Sequence, residues 1–491
     1  MFANAIKIMK LSNQSLFRQQ AFINGKWTSS ADNQQLAVYN PATNELLGHV
    51  PILTAEQIDD AIFCANSAWL SWREKTAKER SAILRNWFEL IIANQEDLAT
   101  IMTLEQGKPL NEARGEILYG ASFVEWFAEE AKRIYGDTIP APSQDKRIIV
   151  IKQAIGVVAA ITPWNFPNAM ITRKCAPALA AGCPVIIKPA SETPFSALAL
   201  AELGQQAGIP DGILNVVTGK ARVIGDKLTA SPIVRKLSFT GSTEVGKTLM
   251  RQCANTIKKL SLELGGNAPF IVFDDADIDA AVEGVMASKF RNTGQTCVCA
   301  NRIFVQDNVH DAFAEKLAAK VQQLVVSDGM NANAEQGPLI NAAAVSKVQE
   351  HIADAVNLGA IIVTGGQQHT LGGLFFQPTV LTNVTPKMQI SHEETFGPVA
   401  PLYKFNTVEE VIGLANDTPF GLAAYFYSQN IKRIWHVAEA LEVGIVGINA
   451  GIVSSEVAPF GGIKESGIGR EGSKYGIDDF VEIKYLCFGN L

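Results

Sequence analysis

Two cysteines, Cys297 and Cys299, sit in Gly294-Gln295-Thr296-Cys297-Val298-Cys299-Ala300, and an acid, Glu263, sits in Leu262-Glu263-Leu264-Gly265-Gly266. Thiolate is the strongest nucleophile a protein carries near neutral pH, and a carboxylate brought beside it can serve as its base. Gly294 gives the cysteine loop a backbone that can approach a substrate closely. The combination predicts a covalent catalyst. A metal site is not expected: Cys-x-Cys without a second Cys or His cluster falls short of four zinc ligands, and the histidines at 49, 310, 351, 369, 392 and 436 are scattered.

A second string points to phosphate. Gly241-Ser242-Thr243-Glu244-Val245-Gly246-Lys247-Thr248 matches G-x-x-x-x-G-K-[ST] and follows an apolar run, while Phe270-Ile271-Val272-Phe273-Asp274 imitates a Walker B strand. Taken alone, these residues predict a P-loop NTPase. Glycines and hydroxyls at a helix N-terminus present free N–H groups to any phosphate, so the string serves a dinucleotide pyrophosphate equally well. The ordinary G-x-G-x-x-G fingerprint is absent.

The elements that must hold these groups follow from periodicity. Apolar residues recur three and four apart through residues 55 to 135, as in Ile58, Ala61 and Ile62 or Ile83, Leu84 and Trp87, which predicts helices. Beyond them short apolar runs at Arg147 to Ala160, Pro184 to Ile187, Leu214 to Val217 and Lys236 to Thr240 alternate with helix-length segments such as Ser196 to Ala207. The alternation resumes with Pro269 to Phe273, the helix Ile278 to Phe290, Arg302 to Val305, the helix His310 to Val326 and Ala360 to Val363. Such βαβ patterning predicts two α/β domains with parallel sheets covered on both faces. Phe480 to Leu486 alternates as a strand expected to pair near Arg147. No internal repeat is apparent.

At 491 residues the chain exceeds one core, and 47% hydrophobic with 19% charged residues is the composition of a soluble globular enzyme. A formal charge of −7 without a dense basic block argues against nucleic acid or an anionic membrane as partner. The apolar stretch from Gln153 to Thr172 is interrupted by Pro163, Asn165, Pro167 and Asn168, so a buried strand and loop are expected instead of a membrane span. Seven cysteines at 64, 175, 183, 253, 297, 299 and 487 show no disulfide framework, which predicts a reducing cytoplasm. The acid-free first 31 residues lack an arginine-rich amphipathic pattern, so no targeting segment is expected.

Seven motifs occur in one order: Pro163-Trp164-Asn165-Phe166-Pro167, Lys188-Pro189-Ala190, Phe239-Thr240-Gly241-Ser242, Glu263-Leu264-Gly265-Gly266, Gly294-Gln295-Thr296-Cys297, Glu393-Glu394-Thr395-Phe396-Gly397-Pro398 and Pro459-Phe460-Gly461-Gly462. In order and spacing the chain resembles the aldehyde dehydrogenase superfamily. Met170-Ile171-Thr172-Arg173-Lys174, Lys289-Phe290-Arg291-Asn292, Cys297-Val298-Cys299 and Ser454-Ser455 look like the branch that acts on succinate semialdehyde. The resemblance implies a dinucleotide-binding domain at 1–129 and 151–262, a catalytic domain at 263–468, and a bridging oligomerisation element at 130–150 and 469–491. A homodimer or homotetramer is expected with it.

The resemblance also implies roles. Cys297 attacks the aldehyde carbon, and the Asn165 amide with the Cys297 backbone N–H holds the oxyanion. The thiohemiacetal passes hydride to a nicotinamide, leaving a thioester that water activated by Glu263 hydrolyses, with Lys174 assisting electrostatically. Lys188 is expected at the adenine ribose, and Glu394 at the nicotinamide ribose with Phe396 packed nearby. Trp164, Gly241, Ser242 and Leu264 complete the expected cofactor contacts. Where NAD-preferring relatives often carry a glutamate, this chain has Ser191, whose hydroxyl can donate to a 2′-phosphate; NADP is therefore expected, with NAD possible through the adjacent Glu192. Arg173 and Arg291 are expected to grip a terminal carboxylate, helped by Ser454, which suits succinate semialdehyde and, as an alternative, glutarate semialdehyde. Cys299 is expected to close a strained, easily reduced disulfide onto Cys297 as a redox brake.

Overall fold

The helices that open the first half are set by their caps. Thr54 and Gln57 form a reciprocal capping box at the start of Ala55–Trp72, and Thr76 and Glu79 do so for Ala77–Ala93. Helices Gln95–Gln106 and Leu110–Glu130 follow. The computed structural model describes residues 10–490, so the beginning of the acid-free N-terminal stretch lies outside the described residues.

Five parallel strands build the first sheet, in the spatial order Lys259–Glu263, Val234–Thr240, Val157–Ile161, Val185–Lys188 and Leu214–Val216. The chain lays down the central strand first, winds outward on one side, then returns to the other. The order reverses between Val157–Ile161 and Val234–Thr240. In an open parallel sheet that reversal opens a crevice at the carboxyl ends of the strands, where ligands bind. Trp164 and Asn165 follow the first of these strands, and Gly241 and Ser242 follow the second. The sheet is covered on one face by helices that include Leu110–Glu130 and Ala169–Ala181, and on the other by Ala55–Trp72, Ala221–Ala230 and Thr243–Cys253.

The second sheet runs Ile361–Thr364, Thr379–Thr382, Val399–Phe405, Ala300–Gln306, Ala268–Val272, Ala423–Tyr427 and Ile445–Ile448, parallel except at its first strand. A third, antiparallel sheet pairs Val481–Phe488 with Arg147–Ala154 along their full length, and Asp137–Ile139 with the latter. Both architectural expectations, two parallel-sheet α/β bodies and a small β element, describe this arrangement.

The structure redraws some limits. Strand Arg147–Ala154 carries the small sheet past residue 150, and Glu263 is the last residue of a strand in the first sheet, not the opening of the second body. Gly467–Ile468 also returns to the first sheet, antiparallel to Lys259–Glu263. Strands Ala21–Ile23 and Lys26–Thr28 extend that sheet at its far edge. Their runs are too short to show a period in the sequence. Among the described residues no helix is long and apolar enough to cross a membrane.

Candidate active site

Cys297 stands on the turn between helix Ile278–Lys289 and strand Ala300–Gln306. Three consecutive residues before it are left-handed: Asn292 (φ 51°), Thr293 (φ 57°) and Gly294 (φ 75°). That conformation is natural for glycine, tolerated by asparagine and costly for a β-branched threonine, so tertiary contacts must impose it. They are present. Thr293 Oγ1 donates to the Gly337 carbonyl at 3.2 Å, and a Cβ at Gly294 would run into the Gly397 carbonyl. Tyr425 fixes the far side of the turn by donating to the Val298 carbonyl at 2.8 Å.

A cavity of about 270 Å³ opens over the thiol, lined by Trp164, Asn165, Gly241, Ser242, Leu264 and Glu394, with Phe396, Gly265 and Lys347 among the others. Seven of the positions expected from the sequence for chemistry or cofactor thus meet Cys297 in one place. Glycine brings the two loops together: a side chain on Gly266 would begin 2.6 Å from the Cys297 carbonyl oxygen. Trp164 and Phe396 pack edge to face with ring centres 5.5 Å apart, and Phe396 holds a left-handed φ of 53°. The Gly266 N–H donates to Glu394 Oε1 at 3.4 Å, and burial pushes that carboxyl up to about 7.

The cavity fits the nicotinamide end of a dinucleotide. Gly265 leaves room beside Glu394 Oε2 and Thr243 Oγ1, which a side chain there would approach to 3.2 and 3.3 Å. Helix Thr243–Cys253 starts beside the cavity, with its N-cap Ser242 in the lining and accepting from the Val245 N–H. The NTPase expectation fails here. Lys247 turns to Glu465 at 2.9 Å and Glu244 at 3.6 Å, away from the loop it would have to serve, and Asp274 is held by Arg433 at 3.0 Å.

Glu263 is buried, and neither carboxylate oxygen has a hydrogen-bond partner among the described residues. Burial and the neighbouring Glu471 charge raise it well above the carboxylate range, with Arg173, Lys174 and Arg470 pulling the other way. A buried carboxylate with raised proton affinity has the character a general base requires. Lys174 does not reach the cavity: its ammonium bonds Thr240 Oγ1 at 2.6 Å and Glu471 Oε1. Glu471 is itself buried; burial raises its carboxyl, but Lys174 and Arg173 outweigh that and hold it low. Sequence reasoning missed Glu471, since nothing near it in the chain marks a partner for Lys174.

The surroundings of the Cys297 sulfur favour the protonated thiol. Burial, the Glu394 charge and, to a smaller extent, Glu263 and Cys299 push Cys297 up to about 12, against the pull of Arg173. Because only the thiolate alkylates, the ligand-free protein should show iodoacetamide modification of Cys297 rising about tenfold per pH unit beyond pH 9, where an ordinary cysteine has levelled off near its pKa of ~8.5. Peptide mass spectrometry of the modified protein checks this, and a plateau below pH 9 contradicts it. Cys299 is buried, donates its S–H to the Lys289 carbonyl at 3.6 Å and is also raised by burial, so joining it to Cys297 would sacrifice that bond in a setting that discourages thiolate.

The expected carboxylate grip is only partly laid out. Arg173 is 1% exposed and ion-paired to Glu471 at 2.8 Å, with its guanidinium 4.0 Å over the Phe460 ring, so it is already engaged by a protein carboxylate. Its Nε and Nη2 nonetheless lack well-aligned acceptors. Arg291, half-buried and 5.2 Å over Phe166, has no acidic partner within 4 Å among the described residues and lines a separate cavity of about 600 Å³ with Glu112 and Ile452. Tyr119 was not foreseen: its hydroxyl is buried without a well-formed hydrogen bond, beside Ser454 and within the field of both arginines.

Lys188 is buried at the end of its strand, its ammonium lowered by burial and partly restored by Glu192. Ser191 lines, with Glu192 and Glu105, a different cavity of about 800 Å³ bounded by residues 36–44. Lys347, unmarked by any motif, lines the cavity with Glu394, whose carboxyl it and Lys289 pull down against burial.

A model of the aldehyde dehydrogenase family matches residues 27–486. The chain is 64% identical over 481 residues to succinate-semialdehyde dehydrogenase [NADP(+)] GabD of Escherichia coli, covering 98% of this chain and 100% of that one. It is 62% identical over 483 residues to glutarate-semialdehyde dehydrogenase of Pseudomonas aeruginosa, again covering 98% and 100%. A crystal structure of an Escherichia coli NADP-dependent enzyme superposes with a TM-score of 0.97 at 64% identity, covering 98% and 100% of the two chains.

Proposed function

The chain belongs to the aldehyde dehydrogenase family, and we propose that within it the protein oxidises succinate semialdehyde to succinate with NADP in preference to NAD. The carrying observation is Arg291, a half-buried guanidinium without an acidic partner among the described residues, whose charge is felt by the buried Tyr119 hydroxyl beside Ser454. A substrate carboxylate would pair with Arg291 and accept from the Tyr119–Ser454 hydroxyls, with Arg173 adding charge from its pair with Glu471. Glutarate semialdehyde ends in the same group, one methylene farther; the names of the relatives support both.

In this reading the first sheet serves the dinucleotide and the second presents the nucleophile. Cys297, its thiol proton released to solvent, attacks the aldehyde carbon, and the carbonyl π pair moves onto the oxygen. The second N–H of the Asn165 amide and the Cys297 N–H receive the oxyanion, the first amide N–H being committed to the Gln295 carbonyl at 3.1 Å. The cofactor, when bound, supplies the hydride acceptor. Glu263 then draws a proton from the water that hydrolyses the thioester, and its elevated proton affinity, sustained by burial and by Glu471, suits that task. Lys174 acts through Glu471, setting the field that Glu263 feels.

NADP is supported by Ser191 in place of an acid and by the relative named for NADP(+). Self-association as a dimer or tetramer is supported by the small sheet, whose outer residues Ile139, Ile483, Tyr485 and Phe488 are exposed. Seven unpaired thiols support a reducing compartment such as the cytoplasm.

Reduced-nicotinamide absorbance, followed with both cofactors on succinate semialdehyde, glutarate semialdehyde and neutral aldehydes of equal length, tests the reading. NADP should give the higher kcat/KM. Arg291→Ala should raise KM for succinate semialdehyde about 10- to 100-fold, the scale of a lost charged hydrogen bond, and change a neutral aldehyde little. Equal losses on both aldehydes would remove Arg291 from the pocket, and a preference for NAD would refute the cofactor assignment.

A further inference from the structure

The segment before helix Leu110–Glu130 buries a lysine that no motif singles out. Lys108 and Glu116 are ion-paired at 2.6 Å with side chains only 1% exposed each. Replacing such a pair by apolar side chains is often neutral or stabilising, so stability alone is a poor reason to keep it. Its bonds lead to the oxyanion residue. Lys108 Nζ donates to the Asn165 backbone carbonyl at 2.7 Å and lies 4.0 Å over the Phe166 ring, while Glu116 Oε1 accepts the N–H groups of Asn168 (3.0 Å) and Ala169 (3.1 Å).

A second hand grips the same carbonyl. Asn292 Nδ2 donates to the Asn165 carbonyl at 3.0 Å and to the Gln295 carbonyl at 3.2 Å. Asn292 is the first of the three left-handed residues before Cys297, and its own N–H is held by Glu112 at 2.8 Å. The two hands are joined: the Lys108 N–H donates to Gln106 Oε1 at 2.9 Å, and Gln106 Nε2 donates to Asn292 Oδ1 at 3.0 Å. Lys108, Gln106, Asn292 and Asn165 thus close a buried ring that spans the two loops, one from each sheet.

We propose that Lys108 and Asn292 are positioning residues that set the Asn165 amide relative to the Cys297 sulfur by clamping the Asn165 carbonyl between them. This rests on Asn165 being the oxyanion donor. A donor must sit within hydrogen-bond reach of an oxygen that exists only during the reaction, and a misplacement of about 1 Å can cost ~10²-fold in rate. Released from the clamp, the Asn165 loop keeps its place in the fold and loses its aim.

The test is a double-mutant cycle. Lys108→Gln and Asn292→Ala are each made alone and on Asn165→Ala, with kcat and KM measured for aldehyde oxidation and Cys297 alkylation measured as a report on the thiol. Each single change should lower kcat about 10- to 100-fold, leave KM within about threefold, and cost nothing further on Asn165→Ala. Equal losses with and without the Asn165 amide would overturn the clamp, because they would mark a role in the fold at large. An enzyme slowed by Asn165→Ala but untouched by the other two changes overturns the clamp alone, whereas full kcat in Asn165→Ala overturns the donor role and the clamp with it. If Lys108→Gln fails to fold, having left Glu116 buried and unpaired, Asn292→Ala decides the matter, since it orphans no charge.

Discussion

Glu263→Gln should yield an enzyme that releases about one equivalent of reduced nicotinamide per active site and then turns over about 10²- to 10⁴-fold more slowly, the range general-base catalysis contributes. Glutamine keeps the size of the side chain and removes the basic oxygen. The site shows why nothing nearby can replace it. Glu471, the other buried carboxylate, is committed to Lys174 and Arg173, which hold it low as an acid and poor as a base. Glu394 reaches only about 7 and is tied to the Gly266 N–H. Rapid mixing followed by acid quench should find the substrate's acyl group on Cys297. A burst as slow as steady turnover would assign Glu263 to the first proton transfer, from the thiol, rather than to water.

Cys297→Ala should abolish turnover, by roughly 10⁶-fold when compared with the loss of other covalent nucleophiles. Binding of the cofactor should persist, because Trp164, Gly241, Ser242, Glu394 and Phe396 do not depend on the thiol; quenching of Trp164 fluorescence is the readout. Cys299→Ala is the control. Its thiol faces the Lys289 carbonyl, and alanine leaves only a small buried gap, so most of kcat should survive. The opposite pattern, an active Cys297→Ala and a dead Cys299→Ala, would exchange the two roles.

Much of the site was legible because its residues lie where strands end. Trp164 and Asn165, Gly241 and Ser242, and Glu263 and Leu264 each follow an apolar run, and the fold brings those ends to one crevice. What the sequence concealed is side-chain direction and long-range pairing. The Walker-like string predicts a strand, a turn and a helix, all present, but nothing local tells Lys247 to lean toward Glu465. Arg173 reads as free in the sequence because its partner is far away in the chain, and Glu471, between Arg470 and Gly472, belongs to no motif. Lys108 and Tyr119 carry no motif; burial alone makes them conspicuous. The edge strands Ala21–Ile23 and Gly467–Ile468 are too short to betray a period and exist through their pairing.

Glu263 closes a strand of the first sheet, and Cys297 introduces a strand of the second. In the proposed reaction base and nucleophile therefore work like a vernier, with one scale engraved on each body. A slip between the two that is far too small to disturb either sheet would part base from thiol. Rate is then the most delicate gauge of how the halves of this molecule are seated, and warming or denaturant should silence it while the circular dichroism still reports an intact fold.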